Sequence, residues 1–352
     1  MTSNSARRGA VLAAVARLGD CAYVTGDLPT IRYVTGFSGS NATVVIDGDR
    51  VVVITDGRYQ EQVSAECSDV DVIIERDIPR ALTQLLTGRP VVLDDRASVA
   101  LASRLKEAGL GVTAGPDPVR ALRVTKDEDE IQTLRAACAI TARGLGDIAE
   151  SIKPGQREVD IARWLEQRFV ELGAEDRAFP TIVASGANSA IPHHRAGDKP
   201  LEVGDLLVID CGAMVAGYHA DMTRTYVVGA DPASWQRELH DVVRQAQQAG
   251  MDAVQPKTPA SRIDSAARQV IADAGYGRHF THGTGHGVGL QIHEDPMISA
   301  TNDVSVPAGA AITVEPGVYV PSRGGVRIED TVLVGHEVQV LTEAERTLTR
   351  VG

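Results

Sequence analysis

A spacing pattern that occurs twice in the second half of the sequence constrains the fold more than any other feature. Gly204 begins an apolar run that ends at Asp210, six residues later, and Gly212 follows two residues beyond. Residues 309–317 repeat this frame, with Glu315 at the acid position. In each copy the pattern predicts a buried strand that carries a carboxylate at its end.

A second acid follows in each copy, again ahead of an apolar strand. Asp221 and Thr223 precede the run 226–228, and Glu329 and Thr331 precede the run 332–334. Two related β-units can face one another across a pseudo-two-fold axis, which would bring the four acids together. We therefore predict an α+β fold with an internal repeat in this half of the chain.

Four carboxylates at one point need a source of positive charge. Like charges at close range disfavour ionisation, and buried acids need partners. Asp210 and Glu315 follow apolar runs and are expected to be nearly buried, yet no Lys or Arg lies close to either in sequence. A single acid of this kind could simply end its strand at the surface, but the fourfold pattern favours a site for divalent cations.

A glycine-rich stretch supplies the imidazoles. His282, His286 and His293 lie within residues 282–294, with glycines at 283, 285, 287 and 289. Glycine at this density disfavours the helix on which zinc-binding histidine pairs usually lie. A phosphate-binding loop is disfavoured too, because no strand-to-helix context and no Lys-Ser or Lys-Thr pair follows. The glycines instead allow backbone and imidazoles to crowd a small site.

The first third of the sequence has the pattern of a small α/β domain. Residues 44–46 and 51–54 flank the turn at 47–49 and predict a β-hairpin. Further short strands are predicted at 70–74 and 91–93, with helices at 79–86 and 98–108. The breakers at 115–118 indicate a linker. We expect an N-terminal domain at 1–120 and a second domain at 121–352.

Two helices are predicted at the start of the second domain. Thr125 as N-cap with Glu128 three residues later has the form of a capping box. A second amphipathic helix is predicted at 158–172. Its expected apolar stripe consists of Ile161, Trp164, Leu165 and Phe169.

At these residues the second domain resembles the pita-bread metallopeptidases, the group of methionine aminopeptidase, aminopeptidase P and prolidase. The resemblance covers about residues 125–345 and rests on the Asp210/Asp221 spacing, the glycine-framed His286, the motif at 315–317 and the motif at 325–330. The N-terminal motifs at 33–40 and 55–59 are similar to the first domain of creatinase and prolidase relatives, which methionine aminopeptidases lack. The resemblance implies the Xaa-Pro peptidase branch, with Xaa-Pro dipeptides or short peptides as substrates.

The resemblance also implies a two-metal centre. Asp210 would hold one ion, Asp221 and Glu329 would bridge both, and His286 and Glu315 would complete the other. One imidazole and four carboxylates form a hard ligand set, which favours Mn²⁺, with Co²⁺ or Zn²⁺ as alternatives. Two cations would make a water nucleophilic near neutral pH.

Further roles follow from the resemblance. Glu315 would move a proton to the leaving proline nitrogen. His193 matches the histidine on the substrate side, His293 would hold the scissile carbonyl or the proline carboxylate, and His282 would line the pocket. Arg327 would either anchor the substrate carboxylate or brace the ligands by charge-assisted hydrogen bonds, and both roles stay open.

Other interpretations remain at this stage. A methionine aminopeptidase-like exopeptidase is disfavoured by the N-terminal domain, a creatinase-like hydrolase by the complete ligand set, and a non-catalytic pita-bread binding protein by the same set. Arg195 could narrow the entrance of the site or simply be solvated. The sequence leaves the choice between dipeptides and longer peptides open.

Composition limits the partners and the compartment. The net charge of −12 argues against a nucleic-acid partner. No apolar run approaches the roughly 18 residues that span a bilayer, so no membrane association is expected. Scattered cysteines without a close pair are typical of a reducing compartment, and we expect a cytoplasmic protein. The resemblance implies a homodimer. The four cysteines are Cys21, Cys67, Cys138 and Cys211.

Overall fold

The computed structural model describes the backbone of residues 2–352 and the side chains from residue 7 onward. The chain forms two compact units, Met1–Arg123 and Val124–Gly352. Within these described residues, no helix is long and apolar enough to cross a membrane. The four cysteines are all buried and free.

The first unit is built on one six-stranded mixed sheet in the order β4-β3-β2-β1-β5-β6. Its strands are β1 (Ala22–Thr25), β2 (Ala42–Asp47), β3 (Arg50–Thr55), β4 (Asp71–Ile74), β5 (Val91–Asp94) and β6 (Val112–Gly115). Its helices are α1 (Thr2–Ala16), α2 (Leu28–Thr35), α3 (Gln60–Glu66), α4 (Ile78–Leu85), α5 (Val99–Glu107) and α6 (Arg120–Arg123). The predicted hairpin is confirmed as β2 and β3, with Val45 opposite Val52.

The second unit contains four long helices and several small sheets. The helices are α7 (Glu128–Ser151), α8 (Glu158–Glu171), α9 (Ser234–Ala253) and α10 (Ala260–Asp273). The strands of the first half are β7 (Asp176–Arg177), β8 (Ile182–Ser185), β9 (Leu206–Cys211), β10 (Ala213–Val215), β11 (Tyr218–His219) and β12 (Met222–Val228). Those of the second half are β13 (Gly285–Gly287), β14 (Glu294–Ile298), β15 (Ala311–Val314), β16 (Gly317–Val320), β17 (Gly324–Arg327), β18 (Asp330–Leu333), β19 (Gln339–Val340) and β20 (Thr349–Val351).

The internal repeat predicted from the sequence is present in this unit. Each half begins with a packed helix pair, α7 with α8 and α9 with α10. An antiparallel set of three strands follows in each half, in the order β8-β9-β12 and β13-β15-β18. The glycines that open the two frames, Gly204 and Gly309, have φ angles of 90° and 81°, which favour glycine. The α+β organisation is therefore confirmed.

The two halves differ in strand register. In the first half Asp210 lies opposite Thr223. In the second half Val314 lies opposite Asp330, and Gly317 lies opposite Arg327 in the next pair of strands. Continuing that register puts Glu315 opposite Glu329. The repeat therefore brings the acids together from two slightly different hairpins.

Two local predictions at the start of this unit are wrong. The capping box is formed by Asp127 and Glu130, two residues after the predicted pair. Thr125 is engaged in a β-bridge with Ala310, and the N–H of Lys126 donates to the carbonyl of Gly309, so the chain is still extended there.

The predicted apolar stripe of α8 is also wrong at one position. Ile161, Leu165 and Phe169 are buried at i, i+4 and i+8, whereas Trp164 is 39% exposed. At about 100° per residue, Leu165 and Phe169 lie progressively to one side of Ile161, whereas Trp164 lies on its other side, at the edge of the buried face.

Candidate metal centre and substrate cavity

The five predicted ligands come from the ends of strands in both halves of the second unit. In the first half Asp210 lies near the end of β9, and Asp221 precedes β12 directly. In the second half His286 lies within β13, Glu315 follows β15 directly and Glu329 precedes β18 directly. All five line one cavity of about 630 Å³. The structure therefore brings the predicted set together.

Three of these residues are close enough to share an ion. One ligand atom each from Asp221, His286 and Glu329 lie within 4.8 Å of one another. The Nε2 atom of His286 lies 3.5 Å from Asp221 Oδ2 and 3.4 Å from Glu315 Oε1. Its Nδ1 atom lies 2.9 Å from the Gly287 carbonyl oxygen, to which Nδ1–H donates. Nε2 therefore keeps its lone pair for a cation, as in metal-binding histidines.

The donor set carries more negative charge than the protein neutralises. The predicted set contains four acids, and one buried guanidinium contacts them: Arg327 donates through an Nη atom to Asp210 Oδ2 over 2.6 Å. Sequence reasoning missed this contact, which joins residues 117 positions apart. Among the described residues, Asp210 Oδ1 and Glu329 Oε1 are buried without a hydrogen-bond partner. Orphaned carboxylate oxygens of this kind fit a site for divalent cations.

The electrostatics of the site agree with this fit. Burial raises the pKa of Asp221 and of Glu329 well above the ordinary carboxyl value, and the neighbouring acids raise it further. Burial also raises the pKa of Glu315 to about 7 and lowers the pKa of His286 to about 4. Cations would favour the ionised acids and the neutral imidazole that ligation requires.

Threonines tie the two halves together behind the acids. Thr223 Oγ1 donates to Glu329 Oε2 over 2.7 Å, rather than to its sequence neighbour Asp221. In return Thr331 Oγ1 donates to the backbone carbonyl of Asp221 over 2.8 Å. Each bridging acid of the predicted set is thus held by a residue of the opposite half.

The glycines beside His286 permit a close approach of the backbone. A Cβ atom on Gly285 would lie 2.0 Å from the Thr313 carbonyl oxygen, and one on Gly287 would lie 2.2 Å from the Asp295 carbonyl oxygen. No side chain fits at those separations. The glycine framing noticed in the sequence therefore lets β13 lie against its neighbours.

The predicted substrate residues fall into two groups. His193 and His293 line the cavity, and the rings of His293 and His286 meet edge-on with centroids 4.4 Å apart. His282 and Arg327 lie behind the wall, and both contact the hydroxyl of Tyr319, His282 through Nε2 over 2.9 Å and Arg327 over 2.8 Å. Tyr319 was missed because no motif marks it.

The guanidinium of Arg327 donates its hydrogen bonds to groups of the protein. Besides Asp210 and Tyr319, it donates to Thr223 Oγ1 and to the carbonyl oxygen of Pro192. The residue is only 3% exposed. Of the two roles left open by the sequence, these contacts favour the one that braces the ligands.

Two side-chain contacts with buried carboxylates hold the histidine-bearing loops, and neither has a signal in the sequence. Glu158 Oε2 lies 2.8 Å from His194 Nε2, beside His193. Lys126 Nζ lies 3.2 Å from Glu294 Oε2, beside His293, and both side chains are at most 4% exposed. Partners this far apart in sequence are found only once the chain is folded.

Comparison with known proteins agrees with the fold and with a site for divalent metal ions. The model of metallopeptidase family M24 matches residues 132–336, and the model of the creatinase/prolidase N-terminal domain matches residues 7–125. The chain belongs to metallopeptidase family M24. The predicted fold class, a pita-bread domain after a smaller creatinase-like domain, is thereby confirmed.

Individual relatives extend over nearly the whole chain. An Xaa-Pro dipeptidase of Pyrococcus furiosus is 37% identical over 319 residues, which cover 89% of this chain and 91% of that protein. The structure of an Xaa-Pro dipeptidase from Bacillus anthracis matches with a TM-score of 0.95 at 31% identity, covering 99% and 100% of the two chains. An X-Pro aminopeptidase from Thermotoga maritima matches with a TM-score of 0.89 at 34% identity, covering 96% and 100%.

Proposed function

We propose that this protein is a two-metal Xaa-Pro peptidase, which hydrolyses the bond before proline in dipeptides or at the N-terminus of short peptides. The observation that carries the proposal is the convergence of one imidazole and four carboxylates on a single cavity. The matches to Xaa-Pro dipeptidases and to an X-Pro aminopeptidase support the choice of substrate. The match to the creatinase/prolidase N-terminal domain supports it over a methionine aminopeptidase.

The proposed ligands are those predicted from the sequence. Asp210 would bind one ion, Asp221 and Glu329 would bridge the pair, and His286 and Glu315 would bind the other. The oxygen-rich set favours Mn²⁺, with Co²⁺ or Zn²⁺ as alternatives. Divalent cations here would ease the deprotonation of a water and neutralise charge that develops on the scissile carbonyl oxygen. The expected homodimer and cytoplasmic location stay predictions.

The remaining steps belong to the side chains of the cavity. The Glu315 carboxylate would accept the proton of the attacking water at an Oε atom and return it to the proline nitrogen. That nitrogen leaves poorly unless it is protonated, so the step needs a proton donor at this point. His193 and His293 would orient the substrate at the cavity wall, His282 would support that wall from behind, and Arg327 would keep Asp210 in place.

The preference for proline follows from the tertiary amide. A proline peptide bond has no N–H, so a site shaped for it need not offer an acceptor there. A secondary amide would bury an unpaired donor, which costs about 1–3 kcal/mol. A pocket fitted to the pyrrolidine ring would also lose contacts when a smaller residue leaves it partly empty.

Metal analysis together with proline release tests this proposal. The purified protein should bind two divalent ions per chain and should release proline from Ala-Pro. Asp221→Ala or Glu329→Ala should abolish the activity and lower the metal content towards zero, because each acid would contact both ions. Two fully occupied metal sites in either variant would contradict the bridging assignment.

A further inference from the structure

The cavity that holds the acids also has cations at its wall. Three arginines are among its lining residues: Arg163, Arg177 and Arg195. Arg177 is engaged, because its Nη atom lies 2.6 Å from Glu166 Oε2. Arg163 lies 4.0 Å from Asp160 and is 71% exposed. Only Arg195 has no hydrogen bond or ion pair within residues 7–352.

The backbone around Arg195 is held from both sides. His194 contacts Glu158 Oε2 over 2.8 Å, and the N–H of Gly197 donates to the same oxygen over 3.4 Å. Glu158 is fully buried in α8. The position of Arg195 is therefore set by its neighbours, while its exposed side chain keeps its donors for a ligand.

Other candidates for pairing an anion at this cavity are poor. Arg327 is buried and donates to four protein groups. Residues 287–314, between the ligands His286 and Glu315, contain no Lys or Arg. Among the described residues that line this cavity, Arg195 is therefore the arginine left without a protein partner and able to pair with an anionic group of a ligand.

We propose that Arg195 binds the free carboxylate of the C-terminal proline and so favours Xaa-Pro dipeptides over longer or amidated peptides. The inference rests on the proposed Xaa-Pro peptidase function. A carboxylate that leaves water needs a charged partner, and arginine can bind it through two parallel hydrogen bonds. In a dipeptide the carboxylate is on the proline ring itself, whereas chain extension removes this charge from the ring.

The test compares Ala-Pro with its C-terminal amide. Both have the same scissile bond, and only the acid has the negative charge. In metal-loaded Arg195→Gln, kcat/KM for Ala-Pro should fall about tenfold, mainly through KM, as expected for the loss of one charge-assisted contact. For the amide, kcat/KM should change by less than about twofold. Arg195→Lys should recover part of the loss of kcat/KM for Ala-Pro.

Arg163→Gln is the matched control, because Arg163 lines the same cavity. It should change kcat/KM for either substrate by less than about twofold, since an exposed charge near an acid contributes little. The inference is overturned if Arg195→Gln affects acid and amide equally, if it affects neither, or if Arg163→Gln shows the selective loss. A wild-type protein that cleaves neither substrate would refute the proposed function itself, and this inference with it.

Discussion

Glu158 Oε2 and His194 Nε2 lie 2.8 Å apart, and the carboxylate that accepts this hydrogen bond is fully buried. Its other oxygen, Oε1, accepts from the N–H and the hydroxyl of Ser185, each over 2.8 Å, and from Asn188. One side chain of α8 therefore holds both ends of the segment that carries His193. A buried carboxylate with this many donors is a strong restraint.

The second half of the domain has a corresponding contact. Asp264 in α10 is fully buried, and its Oδ1 accepts from the N–H of Thr284 over 3.1 Å and from its hydroxyl over 2.9 Å. Thr284 lies two residues before His286. In each half a buried helix acid thus holds a hydroxyl residue next to a strand, Ser185 at the end of β8 and Thr284 directly before β13, and the segment so held carries a histidine of the cavity.

Glu158→Gln should weaken substrate binding without removing metal. The amide keeps the volume but places an NH₂ or a weaker acceptor against donors that faced a carboxylate, so the segment with His193 should loosen. We expect KM for Ala-Pro to rise about tenfold with a smaller change in kcat, and the metal content to stay at the wild-type value. Glu171→Gln, at an exposed position of the same helix, is the control and should leave KM, kcat and metal content unchanged.

The same carboxylate should affect acid stability. Burial on its own would raise the pKa of Glu158, yet hydrogen bonds from Asn188, His194 and Ser185 lower it below its ordinary value of 4.5. An acid with a depressed folded-state pKa stabilises the fold above its unfolded pKa, and that stability is lost as the pH falls through the folded value.

The free energy of unfolding should therefore fall more steeply below about pH 4.5 in the wild type than in Glu158→Gln. Urea unfolding at a series of pH values measures the difference between the two. If the free energy of unfolding falls in parallel with pH in the two proteins, the ionisation of Glu158 does not contribute to acid stability in this way.

Asp264→Asn should weaken metal binding rather than substrate binding. Loss of the charge releases Thr284 and also Arg268, which Asp264 contacts through both oxygens at 2.8 Å. Residues that orient ligands typically contribute 10–100-fold in metal affinity, so metal titration should give a loss of about that size. Asp273→Asn, exposed at the end of the same helix, serves as control. An unchanged metal affinity with a raised KM would contradict the assignment.

Much of this architecture could be predicted because its signals are local. Short stretches of sequence indicate the repeat and the proposed metal ligands: the glycines at 204 and 309, the acids that follow them and the glycines around His286. The start of α7 was predicted wrongly because a distant contact decided it. The helix start was misplaced because Thr125 pairs with Ala310, far away in the chain.

The contacts behind the site could not be predicted for the same reason. Arg327 with Asp210, Lys126 with Glu294 and Glu158 with Ser185 join residues 117, 168 and 27 positions apart. Periodicity and motif spacing describe one segment at a time, and pairing between buried polar side chains depends on the packed fold.

Glu315→Gln should fold and bind metal but turn over poorly. The amide keeps an oxygen for a cation but cannot carry a proton, so kcat for Ala-Pro should fall about 100-fold or more. Metal content and the thermal unfolding midpoint, measured on the same preparation, show whether the effect is confined to turnover. If the variant keeps more than about a tenth of the wild-type kcat, the proton transfer belongs to another group.

The central claim is that this metallopeptidase is selective for the bond before proline, and the comparison of Ala-Pro with Ala-Ala tests it most directly. With the metal-replete wild-type protein, kcat/KM for Ala-Pro should exceed that for Ala-Ala by at least about a hundredfold, since an unpaired buried N–H and an unfilled ring pocket both oppose Ala-Ala. Removal of the metal by a chelator should abolish hydrolysis of both dipeptides. If Ala-Ala or Met-Ala is hydrolysed as fast as Ala-Pro, the claim is contradicted, and a methionine aminopeptidase-like activity becomes the better account.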